Sequence, residues 1–111
     1  MIKDKKDSRR ARNKGYALER ECVWYFRNRG IFVVRIPTYN QVGELSVVDV
    51  IAFTLPIGSM IQCKITKEYL TSHHKTKLRE TCLRYSLQPV LCYKKSKRTK
   101  LKRGIKFEII I

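Results

Sequence analysis

The chain has 111 residues, 25 Lys+Arg against 9 Asp+Glu, a formal charge of +16 and 43% hydrophobic residues. That is apolar material for one core, hence for one domain. No apolar run approaches the roughly 18 residues of a membrane span, and Met1–Lys14 alternates bases with Asp4 and Asp7 where a secretion signal needs an apolar stretch, so a soluble, cytoplasmic protein without a membrane partner is expected.

The charge is concentrated at two places. Residues 1–14 carry seven bases and two acids, and residues 94–106 carry eight bases and no acid. Two basic segments around a near-balanced body suit a polyanion, because each neutralised phosphate releases condensed counterions. Nucleic acid is the expected partner, in preference to an anionic membrane surface. The chain divides on this reading into a basic arm, 1–13, and a single domain, 14–111.

Asn13–Arg29 reads as an amphipathic helix through Leu18, Cys22, Val23, Tyr25 and Phe26, with Gly30 suited to its left-handed cap. Ile31–Ile36 is a short β-branched run ended by Pro37, and Thr38–Ser46 is a polar loop. Val47–Thr54 and Ser59–Thr66 flank Pro56-Ile57-Gly58 as a hairpin. Thr71–Ser86 returns to helical spacing through Leu78, Cys82, Leu83 and Tyr85; Val90–Tyr93 and Ile105–Ile111 complete the strands. The order α-β-β-β-α-β-β predicts an α/β domain with a mixed sheet.

Four polar residues interrupt this pattern. Glu19 lies on the helix face assigned to the core, and Asp49 is the lone charge in Val47–Phe53; a buried carboxylate needs a cation or a donor. Gln62 and Lys64, two apart on one strand, share a face. A hairpin turning near Ile57 puts Asp49 across from about Lys64 and gathers Asp49, Gln62 and Lys64 on one patch of sheet, within reach of Glu19. Taken singly, each has a structural explanation: an Asp49–Lys64 ion pair, Glu19 turned outward to Arg20 or Arg27, Gln62 on a backbone group. Together they make an oxygen-rich cluster with one lysine beside a basic surface, which suits a hard divalent cation, Mg2+ or Mn2+, and a phosphodiester.

These residues resemble the PD-(D/E)xK (restriction-endonuclease-like) nuclease superfamily, and within it the archaeal-type Holliday junction resolvases of archaea and some of their viruses. The motifs are Lys14-Gly15, Glu19-Arg20-Glu21, Gly30, Phe32-Val33-Val34-Arg35, Pro37, Asp49-Val50-Ile51-Ala52 and Gln62-Cys63-Lys64. The resemblance implies a restriction-endonuclease-like fold and a structure-selective, Mg2+-dependent endodeoxyribonuclease cutting four-way junctions, in the host cytoplasm if viral. It makes Asp49 the main metal ligand, Glu19 and Gln62 further ligands, the Cys63 carbonyl another, and Lys64 the residue that orients water or stabilises phosphate charge. It gives the DNA backbone to Arg9, Arg10, Arg12, Lys14, Arg35, Thr38 and Lys67. The chain departs from the family in carrying Gln62 where acid-x-Lys has its acid, an amide whose carbonyl binds metal more weakly, and Thr38 where the loop tends to have Ser.

Other features are expected to be structural. Cys22, Cys63, Cys82 and Cys92 have no CxxC spacing and read as small apolar fillers, not a zinc site. His73 and His74 point about 100° apart on a helix and read as surface residues near its start; Tyr69 and Tyr85 read as packing residues. No small-molecule cofactor is expected. Two cuts across a near two-fold junction call for a homodimer, with Phe107–Ile111 a candidate interface. The competing readings are a non-catalytic basic nucleic-acid-binding protein and a related nuclease acting on another DNA structure.

Overall fold

The computed structural model describes residues 5–97 and 104–111, and of residues 5–14 only the backbone. Helix α1 (Lys5–Arg27) begins eight residues before the start predicted at Asn13. The basic segment contains no Pro or Gly and is rich in Lys and Arg, good helix formers, so the backbone simply continues. The helix ends at Gly30, whose φ of 72° is cheap only for glycine; Gly30 N donates to the Arg27 carbonyl and Ile31 N to that of Phe26.

The strands are β1 (Val33–Arg35), β2 (Val50–Ala52), β3 (Ser59–Cys63), β4 (Gln88–Tyr93) and β5 (Lys106–Ile109), with α2 (Ser72–Tyr85) between β3 and β4. They form one sheet in the order β1-β2-β3-β4-β5. All pairs are antiparallel except β3–β4, which are parallel and therefore need the α2 crossover. This is the expected mixed sheet flanked by helices in the expected order. The strands are shorter than the apolar runs, because residues such as Val47 and Val48 are buried in a turn before β2.

Register corrects one expectation. Val50 pairs with Ile61, so one step further Asp49 lies beside Gln62 and not opposite Lys64. The β2–β3 connection takes up six residues, Phe53–Gly58, which moves the pairing by two positions from a turn centred on Ile57.

Strand alternation sends side chains to two cores. Val50, Ala52, Ile61, Val90 and Cys92 pack under α1 with Leu18, Cys22 and Phe26. Met60 and Leu91 pack under α2 with Leu78, Cys82, Val47 and Val48. Burying side chains such as Leu18, Ile61 and Leu78, each no more than 1% exposed, is worth about 1.5–3 kcal/mol apiece. Leu83 and Tyr85 do not join the second core: the helix turns them outward, 84% and 51% exposed. Thr81 is buried instead, its hydroxyl donating to the Lys77 carbonyl at 3.0 Å. Helix α2 is capped by the Thr71 hydroxyl, which accepts from His74 N, and ends on Ser86 in the left-handed conformation.

Candidate active site

The two helices leave an open cleft of about 640 Å³ at the end of the sheet where β2 begins and β3 finishes. Glu19, Asp49, Gln62, Cys63 and Lys64 all line it, with Thr38 at its edge. Each is placed by a different device. Glu19 is one turn from Cys22 on α1 and only 7% exposed. Gln62 on β3 and Lys64 just past its end line the cleft while Ile61 and Cys63 go to the α1 core, as alternation demands.

Asp49 is held by its own strand and by its neighbour. Its backbone N donates to the Ile61 carbonyl and its carbonyl accepts from Ile36 N. Its carboxylate is gripped from two sides: Oδ2 accepts from Cys63 N at 2.8 Å and Oδ1 from the Gln41 amide at 3.1 Å. Burial nevertheless pushes Asp49 above the usual aspartate value, against the lowering effects of the Cys63 N–H, Gln41, Lys64 and Arg35. Glu19 is likewise pushed up, first by burial and then by the charge of Asp49, despite the Arg35 guanidinium 3.5 Å away. Two buried carboxylates, both pushed up by burial and Glu19 further by the charge of Asp49, make a site that favours added positive charge.

Three buried side-chain atoms among the described residues have no hydrogen-bond partner: Gln62 Oε1, Ser46 Oγ and His74 Nδ1. All three residues line this cleft. An unpartnered buried acceptor is costly, on the order of 1–3 kcal/mol. Gln62 Oε1, in the cleft with Asp49, is therefore an acceptor that no group among the described residues satisfies. Two carboxylates, one amide oxygen and the Cys63 backbone are hard oxygen donors that fit a divalent cation of the Mg2+ or Mn2+ type.

Sequence spacing missed Gln41, Ser46 and His74, as well as Tyr16, among the lining residues. Gln41 lies in a polar loop with no periodicity; its amide donates both to Asp49 and to the Ile36 carbonyl at 3.0 Å. Ser46 comes from the same loop. His74 was expected on the surface with His73; it faces the cleft, and burial, helped by Lys64, His73 and Lys77, pushes it below the usual histidine value. The 100° step that separates the two histidines is the signal that one of them could turn inward.

Other predicted site residues fall elsewhere. Arg35 stands next to the cleft, its guanidinium over the Tyr16 ring and on Glu19. Lys67 is outside the cleft, paired with Glu108 at 2.6 Å. The side chains of Arg9, Arg10, Arg12 and Lys14, and residues 98–103 of the second basic segment, lie outside the described residues. Tyr69 and Tyr85, read as packing residues, are more than half exposed, and the Tyr85 hydroxyl donates to Glu44. No helix among the described residues is long and apolar enough to cross a membrane.

Comparison with known proteins bears on this arrangement. The fold matches that of Archaeoglobus fulgidus Hjc, a Holliday junction resolvase from an archaeal hyperthermophile. That match has a TM-score of 0.61 and 16% identity over 87% of this chain and 73% of that one. A sequence comparison with curated proteins returns no match. The model of the archaeal Holliday junction resolvase family, Hjc, matches residues 10–108, nearly the whole chain and every residue of the cleft. The chain belongs to the archaeal Holliday junction resolvase family.

Proposed function

We propose that the protein is a divalent-metal-dependent endodeoxyribonuclease that resolves four-way DNA junctions by hydrolysing phosphodiesters, with Mg2+ as its ion and Mn2+ as a substitute. The observation that carries this reading is the convergence of Glu19, Asp49 and Lys64 on Gln62, whose buried Oε1 has no hydrogen-bond partner among the described residues. Asp49, Gln62, Glu19 and the Cys63 carbonyl are the groups that would hold the cation, which when bound supplies charge to the phosphate oxygens and activates water.

The chain's own residues do the positioning. The Cys63 N–H and the Gln41 amide fix both oxygens of Asp49, so the carboxylate is aimed before any substrate arrives. Lys64 directly follows β3, two residues after Gln62, makes no ion pair among the described residues, and is free to neutralise charge that builds on the phosphate. Thr38 stands at the cleft edge and Arg35 beside it, positions from which to hold a DNA backbone; shape and phosphate spacing, more than base edges, are what such groups read. Arg9, Arg10, Arg12 and Lys14 extend the basic footprint along the chain. A homodimer would present two such clefts to the two-fold junction.

The test is nicking of a synthetic four-way junction in Mg2+ and in Mn2+, with binding measured in parallel. Wild type cuts the junction, and Asp49→Ala and Lys64→Ala bind it but cleave at least about a hundredfold more slowly. Binding without cleavage in wild type overturns the reading in favour of a non-catalytic nucleic-acid-binding protein. Equal affinity for linear duplex at the same salt overturns the choice of substrate.

A further inference from the structure

We propose that Cys22, Cys63 and Cys92 form a binding site for one soft, thiophilic d10 cation, of the class of Cu+ and Cd2+, behind the nuclease cleft. The three cysteines come from α1, β3 and β4, and their Sγ atoms all lie within 4.8 Å of one another. Metal–thiolate bonds of about 2.3 Å set sulfurs roughly 4 Å apart, so the triad closes on an ion by sub-ångström adjustment.

Packing alone does not require this convergence. Cys22 and Cys92 are fully buried among Leu18, Ile61 and Val90, where alanine or valine would fill the same space without directing sulfur inward. Cys82 shows what a filler looks like: it sits in the other core, across the sheet, apart from the triad. All four cysteines are free thiols. Cys63 and Cys92 are direct register partners on adjacent parallel strands, and Cys22 reaches them from the helix above. Among the described residues no His, Asp or Glu joins the cluster as a fourth ligand. Three sulfurs without a fourth donor favour a soft ion content with three-coordination over the tetrahedral closure of structural zinc.

The site differs in kind from the cleft next to it. The cleft offers oxygen donors, the triad only sulfur, so hard and soft ions sort between them. The two are mechanically joined: Cys22 is one helical turn from Glu19, and the Cys63 peptide N–H holds Asp49. An ion in the triad would brace α1, which carries Glu19, against β3, whose Cys63 N–H holds Asp49, and against β4. The proposal stands whether or not the cleft cleaves DNA.

The experiment titrates the full-length, reduced, metal-free protein with Cd2+ in the presence of excess Mg2+. It follows sulfur-to-cadmium charge-transfer absorption, melting temperature and alkylation of the thiols. The expected result is a band that saturates at one equivalent with the intensity of three thiolates, a raised melting temperature, and protection of three thiols. Cys82→Ala retains the band, and Cys22→Ala and Cys92→Ala each diminish it. Absence of the band in wild type, its loss in Cys82→Ala, or its survival in both triad variants overturns the proposal. So does a fall in melting temperature, the sign of binding to the unfolded chain. The wild-type titration decides the matter even if a triad variant fails to fold.

Discussion

The side-chain amide of Gln41 spans the Ile36 carbonyl and Oδ1 of Asp49, at 3.0 and 3.1 Å, and so ties the loop after β1 to the carboxylate at the head of β2. Among the described residues it is the one side-chain donor to Asp49, whose other oxygen accepts from the Cys63 backbone N–H. Gln41→Ala is expected to reduce junction cleavage by about ten- to a hundredfold while leaving junction affinity close to wild type, the usual cost of losing a group that orients a ligand. Cleavage rates under single-turnover conditions check this; an unchanged rate would show that Asp49 needs no such support.

Gln62→Glu adds a carboxylate beside two that are already pushed up by burial. The metal-free variant should therefore melt lower than wild type, and its half-saturating Mg2+ concentration should drop roughly tenfold or more. Adjacent unit charges interact by about 1 kcal/mol in water and about 4 near a protein surface. A Mg2+ titration of cleavage and of melting temperature reads both effects. If the Mg2+ requirement does not move, Gln62 is outside the ion's reach.

The raised values of Glu19 and Asp49 have a signed consequence for stability. Burial, and for Glu19 the neighbouring Asp49, make the folded protein hold these protons to higher pH than the unfolded chain does. The folded state then binds more protons in that window, and stability falls as pH rises from the ordinary carboxylate range through the raised folded values. Glu19→Gln, which keeps an acceptor for Arg35, should flatten this fall in the metal-free protein, and Mg2+ should oppose it in wild type. Melting temperatures measured across pH, with and without Mg2+, provide the comparison; parallel curves for wild type and variant would refute the argument.

The basic N-terminal segment predicts a salt effect. Deleting residues 1–12 removes six bases and two acids. Junction affinity should weaken, and the slope of log K against log salt should become shallower by about 0.9 for each phosphate that the shortened protein no longer neutralises. Binding measured over a range of salt tests this, with far-UV circular dichroism to confirm that the shortened α1 still folds. An unchanged slope would remove the segment from the DNA-binding surface.

Much of the fold was legible because local rules and tertiary packing agree here. The apolar spacing of Leu18, Cys22 and Phe26, Gly30 at the helix end, and the β-branched runs each mark an element that formed where expected. Glu19, Asp49, Gln62 and Lys64 stood out because each breaks its own element's pattern, and the structure brings all four to one cleft. Leu83 and Tyr85 misled, since apolar residues at near-helical spacing look alike whether they face the core or lie just past its edge.

What the order of residues determined by itself was the set of elements, the family motifs and the identity of the misplaced polar groups, because these follow from periods of two and 3.6 residues along a single segment. What only the tertiary structure decided was everything that joins separate segments. The pairing of Asp49 with Gln62 depended on how a six-residue connection folds. The reach of Gln41 and Ser46 into the cleft depended on an aperiodic loop, and the inward turn of His74 on where α2 docks. The meeting of Cys22, Cys63 and Cys92 depended on a helix lying across two parallel strands. Spacing along the chain carries no record of such meetings: they are distances between elements, fixed by register and packing.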